Sequence, residues 1–284
     1  MSTVNLFDLP VYCQYGIGSP GFGVWREIAA HTLSTNWVLS GESLNFPLMY
    51  HWRLVEKQPI SLPSPLQLQE VEQGVTLWGT ERVRARLEEN IKASAEIVLF
   101  LEYIPANLHQ WLSEEIAKGE EAAESACIMV DRNLYAVTSF MNARGFLHFD
   151  AHFMNILTDG QQLYFADFGL AISEQFELSE AEAVFFKQHV NYDQCYTKAY
   201  FVEWLLTTLL GAENWFTGKE NSVLHEYATG KGKALLPAID KIIRRDAPIA
   251  LVMQAFFLQL KKSKLTSYPH DELERISRTI FDSE

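Results

Sequence analysis

Hydrophobic positions change their period along this chain. Val11 to Tyr15 forms a short apolar stretch that predicts a strand. Trp25, Ile28-Ala29 and Leu33 then repeat at helical spacing and predict a helix over Trp25 to Trp37. Asn36 to Leu39 and Phe46 to Val55 read as strands joined by the turn Gly41-Glu42-Ser43. Three prolines between Pro59 and Pro65 mark a loop or insertion. A second helical stripe, Val83, Leu87 and Ile91, predicts a helix over Arg82 to Ser94. The unbroken run Val98-Leu99-Phe100-Leu101 predicts a strand over Ile97 to Tyr103, buried on both faces.

Beyond this point helical spacing dominates. A helix near Leu108 to Leu112 is followed by a long one over Ala122 to Ala143. Ile156-Leu157 and Leu163 to Ala166, around Thr158-Asp159-Gly160, read as a hairpin. Helices are then expected over Ser179–His189, Asp193–Leu210, Ala234–Arg245, Ala247–Leu260 and His270–Phe281. The expected class is α+β, with a strand-rich part to about residue 101 and a mainly helical part after it. No internal repeat or low-complexity tail interrupts it.

Composition narrows the function. Hydrophobic residues make up 48% of 284, enough for a substantial core. The net charge of −13 disfavours nucleic acid as a partner, since phosphates need compensating Lys and Arg. It is compatible with a cationic substrate and equally with plain solubility. Acidic clusters at Glu114-Glu115, Glu120-Glu121-Glu124 and Glu174 to Glu182 read as solvated helix faces. Cys13, Cys127 and Cys195 lack metal spacing and cannot all pair, which suits a reducing, cytoplasmic compartment. No segment approaches the ~20 apolar residues of a membrane span.

Candidate chemistry concentrates in the middle of the chain. Asp150 lies five residues before Asn155, and Asp167 follows twelve residues later, just ahead of Phe168-Gly169. A carboxylate and an amide oxygen suit a hard Mg²⁺ ion, and a nucleoside triphosphate with about four negative charges needs such an ion. Asp150 is placed to accept a hydroxyl proton, Asn155 and Asp167 to hold metal. The hairpin between them would carry Asp167 back beside Asn155. Gly16, Gly18 and Gly21 fit G-x-G-x-x-G, in which glycine lets backbone N–H groups approach phosphate. A structural glycine-rich turn explains the same residues, and Pro20 removes one donor.

These motifs resemble the protein-kinase-like superfamily. H-x-D-x-x-x-x-N matches His148, Asp150 and Asn155, and D-F-G matches Asp167, Phe168 and Gly169. His152 within D-x-H-x-x-N-I-L is closer to aminoglycoside- and choline-kinase-type phosphotransferases. The resemblance implies a two-lobed fold: a divergent N-lobe over 1–101, a hinge over 102–107 and a helical C-lobe over 108–284. It implies ATP and Mg²⁺ as cofactors and a hydroxyl acceptor on a small molecule or a protein. Glu102, Tyr103 and Ile104 would present hinge backbone to the adenine edge. His148 would pack beneath the loop. His152 would contact substrate or brace the loop.

The chain also departs from the family. No Lys precedes Lys57, so the phosphate-gripping cation falls to Arg53 or Lys57, with Arg26 a weaker candidate. Glu88 or Glu89 would pair with it. No Ala-Pro-Glu follows Gly169, which favours a small-molecule kinase or an atypical protein kinase. A nucleotide- or partner-binding pseudokinase and an AMP-transferring enzyme on the same fold stand as alternatives. Glu182, His189, Tyr192 and Asp193 are polar enough to contact an acceptor and are otherwise ordinary surface.

Overall fold

A computed structural model describes residues 2–16, 18–58, 63–212 and 222–281. It is mixed α+β, mostly helical with small antiparallel sheets. Residues 59–62 of the expected proline-rich loop lie outside the described residues, as does Ile17 of the glycine-rich segment. Among the described residues, no helix is long and apolar enough to cross a membrane.

The chain divides into two compact units, and the division is not sequential. The first contains Met1–Tyr103, His148–Asp150 and Asp167–Phe186. The second contains Ile104–Leu147, Ala151–Ala166 and Lys187–Glu284. A single boundary near residue 101 therefore does not describe it.

The first unit is richer in helix than the hydrophobic pattern predicts. A 3-10 turn at Val11–Gln14 replaces the expected strand. Helix α1 (Val24–Leu39) absorbs Asn36 to Leu39 and stops at Ser40-Gly41. Strand β1 (Met49–Glu56) pairs antiparallel with β2 (Ala95–Leu101). Between them lie α2 (Pro65–Trp78) and α3 (Glu81–Lys92). Helix α2 opens with a capping box, Ser64 with Gln67, and Pro65 at its first position. Strand β2 is not buried on both faces: it alternates, with Val98 and Phe100 exposed.

The α2–α3 pair holds the N-terminal segment. Leu9, Cys13, Phe22, Trp78 and Val83 form one buried cluster, with Phe7, Tyr12 and Leu87 packed on it. The Trp78 indole donates to the Gly18 carbonyl at 2.8 Å and stacks on Tyr12. Near the end of this unit, Arg26 of α1 meets Glu182 of α6 (Glu180–Gln188) in a buried ion pair at 2.7 Å.

The second unit starts with β3 (Ala106–Asn107), α4 (Leu108–Ala117), α5 (Glu120–Ala143) and β4 (Phe146–Leu147). Strands β5 (Ile156–Thr158) and β6 (Leu163–Phe165) form the expected hairpin, and β3 adds to its β5 edge. Thr158 Oγ1 donates to the Gln162 carbonyl at 2.7 Å and closes the turn. Helices α7 (Tyr192–Leu210), α8 (Ser222–Ala228), α9 (Pro237–Lys262) and α10 (His270–Phe281) follow. The two helices expected on either side of Asp246 are one, α9, which runs through Pro248. A proline there removes one helical hydrogen bond. The buried row Ile239, Ile242, Ile243, Ala247, Ala250 and Met253 keeps the axis continuous.

Candidate active site

The residues of the catalytic pattern lie where the chain leaves regular structure. His148 is buried, its Nδ1 accepting the Asp150 N–H at 3.3 Å, and its ring leans on Phe168 with centroids 5.2 Å apart. Phe149 and Asp167 adopt left-handed backbone, with φ of 64° and 59°. For a non-glycine residue this costs free energy, and such strain clusters at functional sites. Phe149 is held there by its ring, which stacks on Phe185 at 5.4 Å and meets the edge of Tyr15 at 6.2 Å. The Asp167 carboxylate is exposed, with Oδ1 3.4 Å from the Gly169 N–H. Phe168 is fully buried between His148, His31 and Phe46. A buried Phe anchors the motif while the aspartate before it stays in solvent.

Asp150 and Gly169 line one cavity of about 430 Å³ within the first unit, and the glycine-rich segment lines it with them. Gly16 and Gly21 have φ of +40° and +65°, conformations that favour glycine. A Cβ on Gly16 would stand 3.4 Å from Asp150 Oδ1, and one on Gly21 would stand 3.6 Å from the Gly169 carbonyl. The Ser19 N–H returns to the Gly16 carbonyl at 2.9 Å, and Ser19 Oγ donates to the Cys13 carbonyl at 2.6 Å. Gln14 Nε2 donates to the Leu170 carbonyl and so ties the segment to the chain after Gly169. The segment runs straight into α1, whose first turn places Glu27 on the cavity wall.

Burial and the neighbouring Asp167 both hold the Glu27 carboxyl above its ordinary range. His31, also on α1, is pulled down to about 4, chiefly by burial, with Asp167 opposing and His148 reinforcing. Its imidazole is neutral at pH 7.

The remaining predicted residues lie elsewhere. Arg53 projects from β1 into solvent and donates to His51 at 3.3 Å. Lys57 follows β1, its N–H bonded to the Ser94 carbonyl. Neither lines the cavity; the cation that does is Arg86 of α3. Glu88 and Glu89 both pair with Lys92. The Glu102 N–H and carboxylate hold the Leu48 carbonyl and N–H at 2.7 and 3.1 Å, and Tyr103 is exposed. These two residues end the first unit and Ile104 opens the second.

Asn155 belongs to the second unit, where its N–H bonds the His152 carbonyl and its carbonyl accepts from Ala166. His152 braces that turn: its Nδ1 accepts the Met154 N–H at 3.2 Å and its ring stacks on Tyr200. Glu182, His189, Tyr192 and Asp193 are all buried, which corrects their reading as surface. Glu182 lies on α6, Tyr192 and Asp193 on α7 and His189 in the turn between them, so the acidic, polar look of 174–193 conceals core positions.

Sequence reasoning passed over Glu27 and Arg86. Arg86 sits on a helix rich in charge, where a solvated face is the ordinary reading, and Glu27 stands beside Arg26 in the first turn of α1. The available signal was register, since Arg86 falls one turn after Val83 on the packed side of α3. No protein-family model matches this chain, and no curated protein matches it.

Proposed function

We propose that the chain is an ATP-dependent phosphotransferase with a two-lobed, protein-kinase-like fold, transferring the γ-phosphoryl group to a hydroxyl of a small molecule or a protein. The observation that carries this reading is the meeting of Asp150, the glycine-rich segment and Gly169 on one cavity. Three stretches far apart in sequence, singled out for the same chemistry, share a wall. The cavity volume falls within the range of small-molecule sites.

The residues present fit Mg-ATP. Glycines 16 and 21 leave open the space that a Cβ would fill, so backbone can approach a phosphate. Asp150, Asp167 and Glu27 offer hard oxygen donors, and Arg86 offers a cation. When bound, Mg-ATP supplies the electrophilic phosphorus and a metal that neutralises charge on the phosphates.

Asp150 orients the acceptor hydroxyl and takes its proton. Asp167 offers its exposed carboxylate to a divalent cation. Asn155 keeps the metal-ligand role implied by its spacing from Asp150, a role argued from sequence alone. The left-handed turns at Phe149 and Asp167 fix both aspartates before substrate arrives, which lowers the reorganisation left for the reaction. The products are the phosphorylated acceptor and ADP.

The test is ATP consumption by the purified protein with Mg²⁺ across a panel of hydroxyl acceptors. Asp150→Ala and Asp167→Ala should each lower turnover by about 10²–10³. Turnover by Asp150→Ala equal to that of the unaltered chain would remove the basis for its role. The mass added to the acceptor separates phosphate from AMP. The solvent-facing position of Arg53 favours a second reading, a nucleotide-binding module without chemistry. It would show as a Mg-ATP-dependent rise in melting temperature with no acceptor modified.

A further inference from the structure

Cations on α3 come with counter-ions, except one. Arg82 pairs with Asp8 at 2.8 Å, and Arg84 with Glu72 and Glu81 at 2.6 Å. Lys92 pairs with Glu88 and Glu89. Arg86 has no carboxylate and no hydrogen-bond acceptor among the described residues, and its Nε is shut off from solvent. Its guanidinium lies over the Phe7 ring at 5.7 Å. It faces the cavity that Asp150, Gly16 and Gly169 also line.

In a chain with a net charge of −13, an uncompensated, half-buried guanidinium is a costly arrangement. Burial draws the group below its ordinary value, and no partner restores it. The helix register leaves it little freedom: Val83 and Leu87 on the same side pack against Phe7, Cys13 and Trp78. The same cluster fixes the glycine-rich segment through the bond from Trp78 to Gly18. Arg86 and the glycines are thus anchored to one hydrophobic cluster.

The wall chemistry selects the missing anion. Glu27 and Asp150 on the same cavity repel a bare carboxylate ligand. They tolerate an anion that arrives with a divalent cation, and the open glycine backbone suits phosphate oxygens. A planar guanidinium binds two such oxygens at once.

We propose that Arg86 grips the polyphosphate tail of the nucleotide, taking the place that Arg53 of β1 or Lys57 just after it would otherwise fill. This assignment rests on the phosphotransferase reading above.

The experiment is calorimetric titration of the full chain with ATP, AMP and tripolyphosphate, each with Mg²⁺, for the unaltered protein and for Arg86→Gln and Arg86→Lys. Arg86→Gln should weaken ATP and tripolyphosphate about 10- to 100-fold, as expected for charge-assisted bonds, and AMP by less than about 3-fold. Arg86→Lys should fall between, since it keeps the charge and loses the fork. The ligand-free melting temperature of Arg86→Gln should stay level or rise, because an uncompensated charge has been removed. A purely structural arginine would lower it. Unaltered protein that binds ATP, with Arg86→Gln binding it equally well, overturns the assignment of Arg86 alone. Equal losses for ATP and AMP would also overturn it. Unaltered protein that binds none of the three overturns the phosphotransferase reading, and this inference with it.

Discussion

The ion pair between Arg26 and Glu182 offers a quantitative test of how the first unit is held. Both side chains are about 2–3% exposed, and Nη2 lies 2.7 Å from Oε1. Arg26 Nε also donates to the Thr3 carbonyl at 2.6 Å, and its guanidinium lies near the rings of Phe22 and Phe176. The second Glu182 oxygen accepts from the Ser179 N–H and Oγ at 3.0 and 2.9 Å, which caps α6. The ionic contact is short but off the hydrogen-bond axis, so neither Nη2 nor Oε1 completes a bond. Coulomb attraction and packing hold it. Removing either charge alone strands the other in the core, at roughly 3–5 kcal/mol. Arg26→Met and Glu182→Gln should each lower the melting temperature by roughly 6–10 °C, at about 2 °C per kcal/mol for a chain of this size. The double variant strands no charge, and the amide oxygen it carries in place of the carboxylate can still cap Ser179. Its loss should therefore be only about 1–2 kcal/mol. Circular-dichroism melts and urea titrations of all four proteins close the cycle. A double variant whose loss equals the two single losses combined would show that the charges are not coupled.

His31 should make stability depend on acidity. Its folded value near 4 lies below the unfolded value near 6.5, so between those pH values the unfolded chain binds a proton that the native one does not. Its share of stability is complete above pH 6.5 and is lost as pH falls toward 4, by about 3 kcal/mol in all. His31→Gln, melted with a chelator present, should lose less stability over that window; an unchanged pH profile would refute this. Glu27, raised in the folded state, works in the opposite direction, so only the difference between the two proteins is diagnostic. Gly16→Ala should cost about 1–2 kcal/mol for its left-handed backbone. It should also cut turnover roughly tenfold, about 1.4 kcal/mol of barrier, by crowding Asp150. Unchanged turnover would detach the glycine segment from the reaction. Trp78→Phe removes the donor to Gly18 and should lower stability by about 1–2 kcal/mol, read in the same melts.

Local elements were more legible than the long-range packing that holds them together. The β5–β6 hairpin could be read because its turn residues and apolar pairs are local, and a hairpin needs little else. Val98 and Phe100 misled because an apolar run fits a strand buried on both faces, whereas here both stand on the exposed face of β2. Asn36 to Leu39 looked like a strand because Trp37, Val38 and Leu39 favour one. The preceding turns of α1 were already formed, and extending a helix costs less than starting a strand. Helix α2 was missed because Leu66, Leu68 and Leu77 are exposed, so its apolar residues draw no stripe. Its Ser64-Pro65-Gln67 start carried the signal instead. These misses share a cause with Arg86. Residues 65–92 pack on the N-terminal segment across a long loop of sequence, and no local rule reports a contact of that range. An arginine with spare carboxylates nearby in sequence looks neutralised until the fold shows which ones are already taken. On the assignment proposed above, the phosphate-binding cation comes from α3, the helix whose stripe of Val83, Leu87 and Ile91 was legible, while the range of its contact with the glycine-rich segment was not.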